Sequence, residues 1–556
     1  MFKLSAACAA ALILLQLPCS AAQAAPVAAI ADPALAARID AAIAPFFKPD
    51  DPGATIIGSR DGKPLFRKAY GMADVANKVP MTPDTVVRIG SLTKQFTATA
   101  ILMLADEGKL AITDDITRYL PDYPTRGKKI TIEHLLTHTS GIASYSGKSD
   151  FRANMSRDVT VAQMIDSFKN DPLDFEPGTQ WRYNNSGYFL LGAIIEKVSG
   201  MSYAKFVEQR IFVPLGMAHT AYEGYERAPG VRAVGHTRTD GRFVPAAPVS
   251  MTVPYAAGAL VSTVDDMARW DAAVSSGALL KAATWQQAFT PYKLADGASA
   301  DYGYGWMFEQ IRGEQVIWHS GSVGGFKAGG WRFPAQKVYV AVLGNGDSGA
   351  LLDAVASKAA AIAIGKPYPE FTAIAVEPKA LDAFTGVYKS DNTQRIFRAD
   401  KGRLTMERNG RPVVALQAYS ANGFFVPNTL DSMEFVRDAK GEVVQVSYRS
   451  GDKEIVQPRT GPVVERVVIQ LAPAVLDGYV GRYQLTKDMH IDVTRDGDRL
   501  WGQPKGQKLV EFQATSQTQF CAPAVNADVT FDKAADGVQQ LTLNLGGRAM
   551  TGKKVQ

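Results

Sequence analysis

With 556 residues the chain is too long for one ordinary domain, and two or three are expected. Hydrophobic residues make up 46% and charged residues 21%, which is ordinary for a globular protein. A formal net charge of +5, interspersed along the chain with no long Lys/Arg run, argues against a nucleic-acid partner.

Lys3 precedes an apolar stretch from Leu4 to Leu17, which is followed by Pro18 and the small-residue run Ser20 to Ala25. A basic start, an apolar middle and the phrase Ala22-Gln23-Ala24 predict a signal peptide over residues 1–24, and so an exported protein, periplasmic or secreted. The apolar stretch is shorter than the roughly 20 residues a membrane span needs, so no span is expected. Pro18 directly before Cys19 fits a lipidation site poorly. With Cys8 and Cys19 gone, Cys521 is left alone, no internal disulfide is expected, and Cys521 reads as a small buried hydrophobe.

The first domain is expected over 26–365. A helix around Ala34 to Phe47 leads into strands at 54–59 and 65–69, joined by the hairpin signal Asp61-Gly62. Further strands are predicted at 306–311, 315–319, 327–333 and 337–343, the last half-buried because Val338, Val340 and Val342 alternate with other residues. An Ala-rich helix from Leu351 to Ile364 closes the domain. Both ends thus build one antiparallel sheet flanked by helices, 71–300 form a mostly helical insert, and the cleft between them is the natural place for a site.

Pro-rich linkers then introduce two related phrases, Leu381-Asp382-Ala383-Phe384-Thr385-Gly386-Val387-Tyr388 and Leu476-Asp477-Gly478-Tyr479-Val480-Gly481-Arg482-Tyr483, 95 residues apart. They predict a duplicated module over 379–460 and 474–556. Short alternating segments broken by Asp-Gly, Asn-Gly and Lys-Gly turns make each copy a small antiparallel β-barrel. The fold class is therefore α+β.

Ser91-Leu92-Thr93-Lys94 opens a helix with the apolar stripe Phe96, Ala100, Met103 and Leu104. The three-residue spacing places Lys94 one turn from Ser91 on the same face. A serine hydroxyl needs a neighbour to take its proton, and a lysine does so only where its pKa is depressed. The Ser91 N–H at a helix start is one oxyanion donor. S-x-x-K alone is weak, since about one or two chance matches are expected in a chain this long. Ser202-Tyr203-Ala204-Lys205 is another, read as a helix start capped by Ser202.

Company separates the two. Tyr183-Asn184-Asn185 lies in a polar loop before an apolar helix over 189–198. Tyr183 acts as a base if nearby positive charge, as from Lys94, lowers its pKa of about 10. Asn185 holds Lys94 and a substrate amide, whereas Asn184 reads as loop structure. His319-Ser320-Gly321 ends a strand, with Ser322 as a second oxyanion donor and Gly321 letting substrate backbone lie close. His134 and His138 stand four apart, but no third ligand accompanies them, so they read as structural and no metal is implied. Trp306, Trp318 and Trp331 read as core or cleft wall. No nucleophile elbow, phosphate loop or dinucleotide fingerprint is present, and no cofactor is implied.

In this order the three motifs resemble those of the penicillin-recognising serine hydrolases, which include class C β-lactamases, DD-peptidases, D-aminopeptidases and related esterases. Leu135-Leu136-Thr137-His138-Thr139-Ser140-Gly141 and Gly258-Ala259-Leu260-Val261-Ser262-Thr263 match as well. The resemblance implies a β-lactamase/transpeptidase-like fold for the first domain. It implies Ser91 as acylated nucleophile, Lys94 and Tyr183 sharing proton transfer, and the N–H groups of Ser91 and Ser322 as oxyanion hole. Asn185, His319 and Ser320 would orient the substrate. Lys-Thr-Gly, usual in β-lactamases at the third motif, is replaced by His319-Ser320-Gly321, which puts efficient β-lactam hydrolysis in doubt. One catalytic domain with two barrels looks most like the D-aminopeptidases.

The expected function is hydrolysis of amide or peptide bonds in D-amino-acid-containing substrates. Alternatives are an esterase or weak β-lactamase with the same residues, and a non-catalytic binder of cell-wall fragments. The expected partners are small peptides, amides or esters, with peptidoglycan fragments and β-lactams as candidates; a homo-oligomer is left open.

Overall fold

The computed structural model describes residues 30–555, apart from 225–229, 240, 391–392, 410–411, 464–466, 487–488, 508, 524, 526 and 546–547. The expected signal segment lies outside the described residues. The chain forms two compact units that divide between Pro367 and Tyr368.

In the first unit, the helices that matter to the site are α1 (Pro33–Ile43), α2 (Thr93–Asp106), α3 (Asn185–Ser199), α4 (Val264–Ser275) and α5 (Gly349–Ala363). The strands are β1 (Ala54–Arg60), β2 (Lys63–Tyr70), β3 (Met307–Ile311), β4 (Glu314–Val323), β5 (Phe326–Phe333) and β6 (Val338–Gly344). The Asp32 carboxylate caps α1 by accepting the Leu35 N–H at 3.0 Å. The helix stops short of Phe47 because Pro45 lacks the N–H a continuing helix needs, and a 3-10 turn over Ala44–Phe46 follows. Asp61 and Gly62 turn β1 into β2 with φ values of 49° and 72°, the paired positive angles of a two-residue hairpin loop.

The six strands form one antiparallel sheet in the order β3-β4-β5-β6-β1-β2. The first and last parts of the unit meet where β1 and β6 pair, from Ala54 opposite Gly344 to Arg60 opposite Val338. All seven residues of β6 are buried, so it is not the half-buried strand its alternation suggests. It is central, and α4 and α5 both pack against it. Between β2 and β3 helices are the main regular structure, but short strands and long loops make up more of the segment, so the insert is less helical than expected. Within that insert α2 is buried from Thr93 to Leu104, and α3 and α4 join it in one core with Phe96, Tyr188 and Trp270.

In the second unit a nine-stranded antiparallel sheet begins at Gly386–Ser390. Its two outermost strands, Val414–Ala415 and Gln417–Ala418, are separated only by Leu416, so the sheet curls nearly closed without a ladder between its ends. Eight further strands, from Gly481–Gln484 to Arg548–Lys554, form a closed barrel. Gly386 and Gly481, 95 positions apart, have φ of 150° and 147°. In the same register, the Tyr388 hydroxyl donates to Phe384 O at 3.0 Å and the Tyr483 hydroxyl to Tyr479 O at 2.9 Å. The lone Cys521 is buried in the closed barrel.

Candidate active site

Ser91 lies in a 3-10 turn over Gly90–Leu92 that runs directly into α2. The turn is pressed against β4. Gly90 has φ of 51°, and a Cβ there would stand 2.6 Å from Ser322 N. A Cβ on Gly321 would stand 1.9 Å from Ile89 O and 2.9 Å from Ser91 N. Both glycines are therefore required to bring the backbone N–H groups of Ser91 and Ser322 into one place. Gly321 was expected to admit substrate backbone; the space it spares is filled instead by the turn that carries Ser91.

Lys94 has no exposed surface. Its Nζ lies 3.2 Å from Ser91 Oγ, 2.9 Å from Asn185 Oδ1 and 2.8 Å from Ala257 O. The rings of Tyr183 and Tyr188 face it with centroids at 4.8 Å and 5.3 Å. No carboxylate among the described residues pairs with it, and burial pushes its pKa well below the ordinary lysine value. A neutral amine has two N–H bonds and one lone pair. In the neutral form the two carbonyl-type oxygens, which can only accept, take both N–H bonds and leave the lone pair to face Ser91 Oγ.

Asn184 is the N-cap of α3, its Oδ1 accepting the Gly187 N–H at 2.7 Å. The helix starts earlier than its apolar run, so Asn185 stands in its first turn rather than in a loop. Its Nδ2 donates to Ser146 Oγ at 2.9 Å, which leaves one N–H for a substrate. Tyr183 directs its hydroxyl toward Ser91, but that buried oxygen makes no hydrogen bond of regular geometry. Burial raises the phenol's pKa, with the Ser91 hydroxyl opposing. The depressed tyrosine pKa considered from sequence is thus not found, because burial of the phenol outweighs what opposes it.

His319 is buried, and its Nδ1 is 2.6 Å from Ser320 O while its Nε2 is 2.9 Å from the Tyr302 hydroxyl. A carbonyl only accepts, so Nδ1 carries the proton and Nε2 accepts from Tyr302. Burial, aided by Lys94, lowers the His319 pKa to about 3, so the ring is neutral at all ordinary pH. His319 to Gly321 do not end a strand as expected. β4 continues to Val323, whereas β3 pairs with it only as far as Trp318. From His319 onward one edge of β4 is therefore without a strand partner, and it forms a wall of the cleft.

That cleft, of about 470 Å³, is lined by Ser91, Tyr183, Asn185, His319, Ser320, Gly321 and Ser322. All the residues singled out from the sequence line it except Lys94, which lies beneath Ser91. Several others were not foreseen. Tyr302 holds the Nε2 side of the His319 ring, whose tautomer the Ser320 carbonyl sets, and the phrase Tyr302-Gly303-Tyr304-Gly305 is its trace in the sequence. His138 lies between the rings of Tyr183 and Tyr302, tilted to both with centroids at 4.5 Å and 4.6 Å, and its Nδ1 accepts the Asn184 N–H at 3.2 Å. His134 instead accepts the Thr131 N–H at the cap of a short helix. Met307, Lys327 and Asp353 also line the cleft, with no sequence pattern to mark them.

Residues 39–364 match the family described as Beta-lactamase, and 465–554 match a domain of unknown function, DUF3471. The chain belongs to the Beta-lactamase family, with a β-lactamase/transpeptidase-like fold, and is a serine hydrolase of that family. A penicillin-binding protein of Bacillus subtilis (strain 168) is 30% identical over 429 residues, 72% of this chain and 93% of the relative. Protein flp of Staphylococcus aureus (strain N315) is 31% identical over 304 residues, 53% of this chain and 59% of the relative. Among solved structures, the octameric penicillin-binding protein homologue from Pyrococcus abyssi is similar with a TM-score of 0.55 and 27% identity, over 76% of this chain and 99% of that one.

Proposed function

We propose that the protein is an exported hydrolase that opens amide or peptide bonds in D-amino-acid-containing substrates through an acyl-enzyme on Ser91. The observation that carries this reading is the buried Lys94, whose Nζ lies 3.2 Å from Ser91 Oγ and whose pKa burial pushes down, which favours the neutral amine that can take a proton. As Oγ attacks the substrate carbonyl, its proton passes to Lys94. The N–H groups of Ser91 and Ser322 hold the oxyanion. Tyr183, protonated because burial raises its pKa, gives its proton to the leaving amine and is recharged from Lys94. Water then takes the place of the amine, and the same groups return the proton as the ester opens. Neutral His319, fixed by Tyr302, shapes the cleft without adding charge.

The preference for D-configured substrates is supported by the resemblance: relatives with histidine at the third motif and appended barrels cut such bonds. The Bacillus relative, named for penicillin binding, is compatible with it. No helix among the described residues is long and apolar enough to cross a membrane.

Intact-mass measurement with a fluorescent penicillin, beside turnover of D- and L-amino-acid p-nitroanilides and short-chain esters, tests the proposal. A stable adduct on Ser91 with product released from D-anilides is expected, and Ser91→Ala should abolish both. Turnover of esters alone, rapid turnover of the penicillin, or activity surviving in Ser91→Ala would overturn it.

A further inference from the structure

The catalytic groups occupy one part of the cleft. Across β4 from them lie two side chains that the proposed chemistry does not use. Lys327 stands on β5 directly opposite Ser322, and the alternation of the sheet puts Ser320, Ser322 and Lys327 on one face. Asp353 stands on α5, the helix that packs on β5 and β6, next to the buried Leu352. Both line the same cleft as Ser91 and Tyr183.

Neither makes a hydrogen bond or ion pair with any described residue, so both charges are open to a ligand in the cleft. They are nonetheless near enough that Lys327 draws the Asp353 carboxyl downward, while burial against the helix raises it by more. A carboxylate that lines the cleft without a donor can take a cation that arrives with the ligand. Space between an unpaired anion and an unpaired cation fits a group carrying the reverse pair.

We infer that Lys327 and Asp353 form a charged recognition point for a zwitterionic α-amino-acid centre that the substrate carries apart from the bond opened by Ser91, its ammonium on Asp353 and its carboxylate on Lys327. An α-amino acid carries both of those charges on one carbon, so one such centre could engage both side chains of the cleft. This assignment rests on the proposed hydrolase reading for the meaning of the cleft, but it concerns binding and is testable without turnover. It also gives the site a preference no catalytic residue supplies, since neutral His319 offers a substrate carboxylate no counter-charge.

Calorimetry on the full chain carrying Ser91→Ala, with D-alanine, D-alaninamide and N-acetyl-D-alanine as probes, separates the charges. D-alanine is expected to bind most tightly. Adding Asp353→Asn should weaken D-alanine and D-alaninamide by about tenfold and leave N-acetyl-D-alanine unchanged. Adding Lys327→Met should weaken D-alanine and N-acetyl-D-alanine and spare D-alaninamide. The exchange Lys327→Asp with Asp353→Lys keeps both charges and should recover D-alanine binding. D-alanine binding no tighter than the single-charge probes, or variants that weaken all three probes alike, would overturn the inference. A charge-split result in a protein that acylates no substrate would leave this inference standing and sink the hydrolase reading; turnover without the split would do the reverse.

Discussion

Two fully buried cations, one in each unit, show what the surroundings of a charge decide. Lys94 in the hydrolase unit has an oxygen partner in three directions and two aromatic rings beside it. Arg395 in the nine-stranded sheet lies 3.6 Å from the Tyr448 ring centroid and donates to Gln457, but its Nε and Nη2 are unpartnered. Burial lowers the pKa of both. Lysine, starting near 10.4, can shed its proton under that pressure, and arginine, above 12, cannot. The first residue is therefore fit for proton transfer, and the second is confined to packing and orientation.

The sharpest way to break that contrast is Lys94→Arg, which puts a permanent charge where Lys94 can offer a lone pair. Acylation of Ser91 should fall by about a thousandfold or more, because both base and proton relay are lost. The single-turnover rate of adduct formation, followed beside circular dichroism, checks this. A folded variant that acylates within tenfold of the native rate would remove Lys94 from the chemistry.

His319 extends the contrast to a group that can lose its charge and has done so. Its pKa is about 3 when folded, against roughly 6.5 unfolded. Between those values the unfolded chain binds a proton that the folded chain refuses, so stability rises with pH across that window. It is complete above about pH 6.5 and is lost as pH falls toward 3. From pH 7 to pH 4 the native protein should lose about 3 kcal/mol more than His319→Asn, read from urea midpoints at the two values. Parallel losses in the two proteins would show that His319 carries its proton while folded.

Much of this was legible in the sequence, for identifiable reasons. The Asp61-Gly62 hairpin and the Ser202 cap depend on neighbours within three residues, and both stand as read: Ser202 Oγ accepts the Lys205 N–H at 3.3 Å. Ser91, Lys94, Tyr183, Asn185 and His319 carry unusual chemistry in short motifs, and so could be found before any distance was known. Gly321 was noticed for a motif that does not state its packing, and only the approach of Ile89 explains it. The burial of β6 on both faces depends on α4 and α5, which its own alternation cannot report. Asp353 and Lys327 are single charges in ordinary helix and strand patterns, and only the tertiary fold brings them to one cleft.

The smallest expected effect concerns Arg395. Replacing it with methionine removes a desolvated charge whose Nε and Nη2 have no partner, which favours the variant. It also strips Gln457 Oε1 of its donor, while Gln457 Nε2 keeps its bond to Thr393 O at 2.7 Å. An orphaned amide oxygen costs about 1–3 kcal/mol, similar to what relief of the buried charge returns. Arg395→Met should therefore change unfolding free energy by no more than about 1 kcal/mol, with kcat unaltered, as read from urea unfolding and steady-state turnover. A loss of about 3 kcal/mol or more would mean that the guanidinium is well satisfied in solution, and the difference drawn between it and Lys94 would fail on the arginine side.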